Sequence, residues 1–178
     1  MLINKTLAAA VAAQLAAAGF CNGRVTANRA EPVDSGRLPS ANVFVDPGSA
    51  RPSGDPRTGV PKYDHTSKLV VEVIESADDG DQVIGRLCDH YDLVLETLLT
   101  DLAWGSQPGA EIEGIGSIDT LQKMEPRGDR ELAQLQISFD VLHASVWPPK
   151  PAASDVTLTR IDVRGPGGLG ANFPVPTE

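Results

Sequence analysis

The side chains best suited to metal ligation or nucleophilic attack in this 178-residue chain are His65, His90, His143, Cys21 and Cys88. Transition-metal sites need such ligands in close sets, as in CxxC, HExxH or a histidine pair roughly three to five residues apart. None of the spacings here is of that kind, so no metal site is expected. Cys88 falls on the apolar stripe of a helical segment and reads as a small core residue, not a nucleophile. His90 reads onto the polar side of that segment, beside Asp89 and Asp92. His143 continues the inward series of a strand and reads as structural. Asp78, Asp79 and Asp81 have the first acids of a calcium loop, but the later ligands are missing. Acids at a helix start explain them, since negative charge meets the positive end of the helix dipole there. Glu111 and Glu113 share one strand face, where two acids are solvated charge; acid–base catalysis needs a pair held across a cleft. A literal GxGxxG runs from Gly165 to Gly170. It is followed by Asn172, Phe173 and Pro174, with no room for the helix that a phosphate-binding loop must open. It reads as part of a flexible tail. With no GxSxG, SxxK or other nucleophile signature, the expectation is no enzyme and no cofactor.

Composition narrows the class. Asp plus Glu number 24 against 15 Lys plus Arg, a formal net charge of −9. Nucleic-acid coats and binders of anionic membranes need a basic face, so both are disfavoured. Aromatic residues make up 4%, too few for base-stacking platforms, while 41% hydrophobic residues suffice for one core. Two distant cysteines are no disulfide scaffold and fit a reducing compartment.

The elements that would position these residues follow from periodicity. Residues 7–18 are alanine-rich. A signal-peptide reading has only Lys5 ahead of it, and Gln14 interrupts the apolar run. A lipoprotein reading of Cys21 is opposed by bulky Phe20. Leu7, Val11 and Leu15 stack on one helical face instead, with Asn4 as the cap and Gly19 as the terminator. No run reaches the roughly 18 apolar residues of a membrane span. Short strands are expected at 24–30 and 42–46. Residues 47–61 contain Pro47, Pro52, Pro56 and Pro61 and read as a long surface loop, because proline cannot donate to a ladder.

Residues 68–76 (KLVVEVIES) form the strongest strand pattern. It is apolar on both faces and so expected to be central. Residues 78–102 follow as the strongest helix, with Ile84, Leu87, Cys88, Tyr91, Val94, Leu95, Leu98 and Leu102 at helical spacing. Ser76 with Asp79, or Asp79 with Gln82, has capping-box spacing, and Gly105 lies near the helix end. Residues 111–124 read as one long or bent strand, with Gly114 and Gly116 marking a bulge. In 129–147, Leu135, Ile137, Phe139 and Val141 alternate with polar residues, a strand with one wet face. The turn between them is expected at 126–129. The fold class expected is α+β: a mostly antiparallel sheet packed with two helices, and a Pro/Gly-rich C-terminal extension. The domain occupies 1–147. The extension, 148–178, carries one strand at 156–163 that pairs with its own subunit or a neighbour.

This ordered series resembles the tail terminator proteins of long-tailed bacteriophages, the lambda-type minor tail protein U family and related tail-completion proteins. It rests on the alanine-rich helix, the strand at 43–46, KLVVEVIES followed directly by DDGDQVIGRLCDHYDLVLETLLTD, and the long strands GAEIEGIGSIDTLQKME and RELAQLQISFDVLH. It covers roughly 1–147 as a pattern of elements, and 148–178 goes beyond the usual end of the family.

The resemblance implies a subunit that closes into a homo-oligomeric ring, a hexamer, on the last tail-tube ring. Such a ring stops tube polymerisation, meets the head-completion or connector protein, and lets DNA pass through its lumen without specific binding. It implies a place in the tail neck of a virion, with the host cytoplasm as the site of assembly, and no membrane partner. The family has no catalytic residues. Candidate contacts to a neighbour or the tube are Arg51, Arg57 and Lys62 in and beside the proline-rich segment, and Arg160 and Arg164 in the extension. The alternatives are another neck protein (head closure or tail completion), a monomeric cytoplasmic binding module or small enzyme, and a protein exported through its N-terminal segment.

Overall fold

A computed structural model describes residues 2–30, 33, 35–54, 62–107, 110–127, 130–146, 160–164 and 170–174. Helix α1 (Leu2–Ala17) opens the chain. Its Leu7, Val11 and Leu15 are buried in one row, and Gly19 stops the helix in the left-handed conformation, φ 79°. Asn4 lies inside the first turn, so it does not cap it.

Strand β1 (Val25–Ala27) runs parallel to β2 (Ser40–Ser53), which turns back into β3 (Lys62–Ala77). Helix α2 (Gly80–Thr100) follows. A minute hairpin of β4 (Ser106–Gln107) and β5 (Ala110–Glu111) leads into β6 (Gly114–Arg127) and β7 (Arg130–Val146). The main sheet has five strands in the order β1-β2-β3-β7-β6, antiparallel except at β1. The expected α+β class, with two helices on a mostly antiparallel sheet, is the class observed.

Strand β3 is the middle strand, as its two apolar faces imply. Residues 69, 71 and 73 stand opposite Phe139, Ile137 and Leu135 of β7 on one face. Together with Ile118 of β6 and Val43 of β2 they form the floor of the core. Helix α1 lies over β1 and β2, and α2 over β3 and β7. The helices are stitched together where Gln14 Nε2 donates to the carbonyls of Thr97 (2.9 Å) and Asp101 (2.8 Å). Trp104, buried, donates from Nε1 to the Leu98 carbonyl (2.9 Å) and closes the end of the core.

Several expectations need correction. Residues 47–53 are not loop: β2 continues through them, paired with β3 as far as Ser53 and Lys62. Two devices accommodate the prolines. The register shifts between Asp46 and Ser49, so Pro47 sits in a bulge. Beyond Val43, β2 also has β3 as its sole partner among the described residues, and an edge strand tolerates a missing donor such as that of Pro52. The bulge demands glycine at 48, where a Cβ would stand 1.7 Å from the backbone oxygen of Thr66. The tip, 55–61 with Arg57, lies outside the described residues.

The strand read at 111–124 is two pieces: the chain breaks at Ile112 and Glu113, and Glu113 donates its N–H to the Leu142 carbonyl. The bulge expected at the glycines falls between Ile115 and Ile118, with Gly116 inside it. The hairpin closes more tightly than expected, since pairing reaches Arg127 and Arg130. Asp79 occupies the N-cap of α2 with extended dihedrals but makes no side-chain cap bond. Gly105 does not terminate α2. Asp101 does, in an extended conformation, while Gly105 ends a following 3₁₀ turn (Leu102–Gly105) and is packed on Ile112.

In the C-terminal extension the structure describes a separate two-stranded sheet, β8 (Arg160–Arg164) with β9 (Gly170–Pro174). Of the strand expected at 156–163, residues 156–159 lie outside the described residues. Gly170, the last glycine of GxGxxG, opens a strand and not a helix.

Candidate interaction surfaces

Among the described residues the interior holds one charged cluster. Alternation along β3 puts Glu75 on the core face, in the series of Leu69, Val71 and Val73, and it is 3% exposed. Its carboxylate accepts from the Ser76 N–H (3.0 Å), and its two oxygens stand 3.5 Å from Arg86 Nη1 and 3.1 Å from His90 Nε2. His90 therefore turns inward, where Phe20 meets its ring edge-on, and not to the polar side of α2 as expected. An acid in the apolar series of a strand was the signal for this cluster. Beside it, Cys21 is buried, and its thiol is pushed up to about 12, first by burial and then by the charge of Glu75; Arg24 opposes both.

Cys88 corrects another expectation. It is exposed, one position round the helix from buried Leu87. Thiol labelling of the native protein is expected to stop at one cysteine, Cys88, and to reach Cys21 after unfolding. Mass spectrometry of the labelled chain checks this; rapid native labelling of Cys21 would contradict its burial.

His65 and His143, far apart in sequence, stand opposite each other on β3 and β7. Their rings stack at 4.8 Å and 3°. Hydrogen bonds join His65 Nε2 to Ser145 Oγ (2.6 Å) and His143 Nε2 to Ser67 Oγ (3.1 Å), while His143 Nδ1 is buried with no partner among the described residues. Burial, then the His65 ring, hold His143 below its ordinary value of 6.5, and Glu113 works against them. The unfolded chain thus takes up the proton first as pH falls. Stability from this site is complete above 6.5 and is lost below it. Between pH 7 and 5.5, the wild type is expected to lose unfolding free energy faster than a His143→Gln variant, by up to about 1.4 kcal/mol per pH unit, read as a steeper fall of its thermal midpoint. Parallel melting curves across that range would remove the claim. Among the described residues, no group of three or more His, Cys, Asp or Glu is placed to hold a metal ion.

The outer surface is organised by two open flanks. On one, β1 pairs β2 alone among the described residues. Arg24, Arg29 and Arg37 surround it; the Arg24 guanidinium donates to the carbonyls of Pro39 (2.9 Å) and Leu38 (3.1 Å). On the other, β6 pairs β7 alone among the described residues. Between β6 and α2 lies an open groove of about 460 Å³, lined by Leu87, Cys88, Tyr91, Asp92, Thr120, Gln122 and Leu135. Leu121 and Met124 of β6 and Ile84 of α2 are exposed.

Four of the five interface candidates lie on described strands of two separate sheets. Arg51 of β2, exposed and opposite Asp64, shares the outer β2–β3 ladder with Lys62, also exposed. Arg160 and Arg164 begin and end β8 in the separate sheet, opposite Pro174 and Gly170. Arg57 lies outside the described residues. Among the described residues no helix is long and apolar enough to cross a membrane.

The class defined by these features is a two-layer α+β domain with two unlike open flanks among the described residues. No protein-family model and no curated protein matches the chain. Among solved structures it is similar to a chain of a particle described as the virion of a native gene transfer agent. The identity is 18%, covering 76% of this chain and 93% of that chain, with a TM-score of 0.42.

Proposed function

We propose that this chain is a structural virion protein, a tail terminator that closes into a ring on the tail tube, ends its polymerisation and joins the tail to the head connector. The observation that carries the reading is the pair of unlike flanks: β1 beneath α1 on one side, and β6 across an open groove from α2 on the other. Head-to-tail contacts between unlike surfaces are what generate rings. The resemblance in element order supports it, since the sheet is assembled from the strands on which that resemblance rests. In this role the chain catalyses no reaction. Its partners are further copies of itself, the tube protein and the connector, in the neck of the particle. The outer β2–β3 ladder with Arg51 and Lys62 is offered for tube contact. Acidic residues lining the lumen repel phosphate and let DNA slide.

Native mass spectrometry with negative-stain imaging tests the ring, and mixing with purified tail tubes tests capping. Rings of about six subunits that block further tube growth are expected. A compact monomer that leaves tube growth untouched overturns the reading.

A further inference from the structure

Among the described residues, the exposed face of α2 is acidic and the surround of β1 is basic. Helix α2 exposes Asp81, Asp89, Asp92 and Glu96. Its one arginine, Arg86, is engaged by Glu75 and by the Ser76 carbonyl (3.2 Å). Asp92 lines the α2–β6 groove, and at 3.6 residues per turn Asp89 and Glu96 share its face of the helix. Around β1 the described charged residues are Arg24, Arg29 and Arg37; the acids of that stretch, Glu31 and Asp34, lie outside the described residues. Arg24 is held by neutral carbonyls, which leave its charge uncancelled. Helix α1 carries Lys5 and no acid.

We propose that the α2–β6 flank is a docking surface for a second copy of this chain, which presents the arginines around its β1 to Asp89, Asp92 and Glu96. This deepens the ring reading above and rests on it for the number of copies, but the interface itself rests on the charge pattern. The contact is made by side chains and not by adding a strand. A bulge at Gly116, Lys123 and Pro126 all interrupt β6 as a template for backbone pairing. Opposed charge patches bring unlike flanks together and reject like ones, which fixes the head-to-tail sense.

A charge exchange tests this in the full chain. The variant D89K/D92K carries two basic flanks, and R29E/R37E two acidic ones. Each is expected to weaken self-association about a hundredfold or more and to stay monomeric where the wild type assembles. Mixed together, they are expected to reassemble in equal proportions, because every contact then joins opposite charges. Added salt should loosen the wild-type assembly. Asp89, Asp92 and Arg37 are exposed, and circular dichroism checks that both variants fold; Arg37→Glu alone serves if the half-buried Arg29 position does not tolerate the change. The proposal is overturned if each variant assembles alone as the wild type does. It is also overturned if the mixture stays apart, or if the wild type is monomeric at the highest attainable concentration. Tube capping is read separately: failure to cap with the charge exchange intact sinks the terminator reading and leaves this interface standing.

Discussion

Phe139→Ala is expected to destabilise the protein by about 3–5 kcal/mol, the range for emptying a buried aromatic site. Phe139 is wholly buried in the middle of β7, between Leu69 of β3 and Ile118 of β6. It lies in the layer that the helices cover, so the surrounding backbone is held by two ladders and has little freedom to collapse into the void. Leu121→Ala, on the opposite face of the sheet and half exposed, is expected to cost less than about 1 kcal/mol. Urea titrations of the two variants, compared at unchanged m-value, measure the contrast. Equal costs would mean that the sheet buries the wrong face.

The second large effect belongs to Glu75. His90→Leu removes the partner of a carboxylate oxygen that water does not reach, and is expected to cost about 3 kcal/mol. Arg86→Ala is expected to cost much less, because that side chain is half exposed and its pairing is screened. Adding Glu75→Leu to His90→Leu removes the stranded charge and is expected to restore most of the loss. The double-mutant cycle is therefore strongly non-additive. Additive costs would show that His90 and Glu75 act independently, against the 3.1 Å contact.

The parts of the fold legible in the sequence are those whose periodicity is enforced by burial along the whole element. Helix α1, strand β3, helix α2 and strand β7 all carry long apolar series, and the centrality of β3 follows from Val70, which is buried on the face opposite Leu69 and Val71. The outer half of β2 was not legible. Proline content argues against a ladder in general, and only the edge position and the bulge at Pro47 make it harmless here. Cys88 was misread because the apolar stripe of α2 is wider than the strip the sheet covers; Ile84, on the same side, is exposed with it. The histidine stack has no local signature at all. His65 and His143 face each other only once the β3–β7 register exists. Asp89 and Asp92 were legible as the polar side of α2, but the groove beside them was not, since it exists only once β6 has paired with β7.

The strand order also dictates how the chain must fold. Strands β2 and β3, neighbours in sequence, pair antiparallel as a hairpin, and so do β6 and β7. The seam that joins them, β3 to β7, runs from Lys62 with Val146 to Ala77 with Glu131 and closes only after α2 and β6 have been brought round. Closing so long an intervening segment is entropically costly and comes late, whereas hairpins and helix form locally and fast. Until then two separate hairpins present four unpaired edges. The closing seam reduces these to two, so a newly made chain is safest from mispairing once its longest-range ladder is complete.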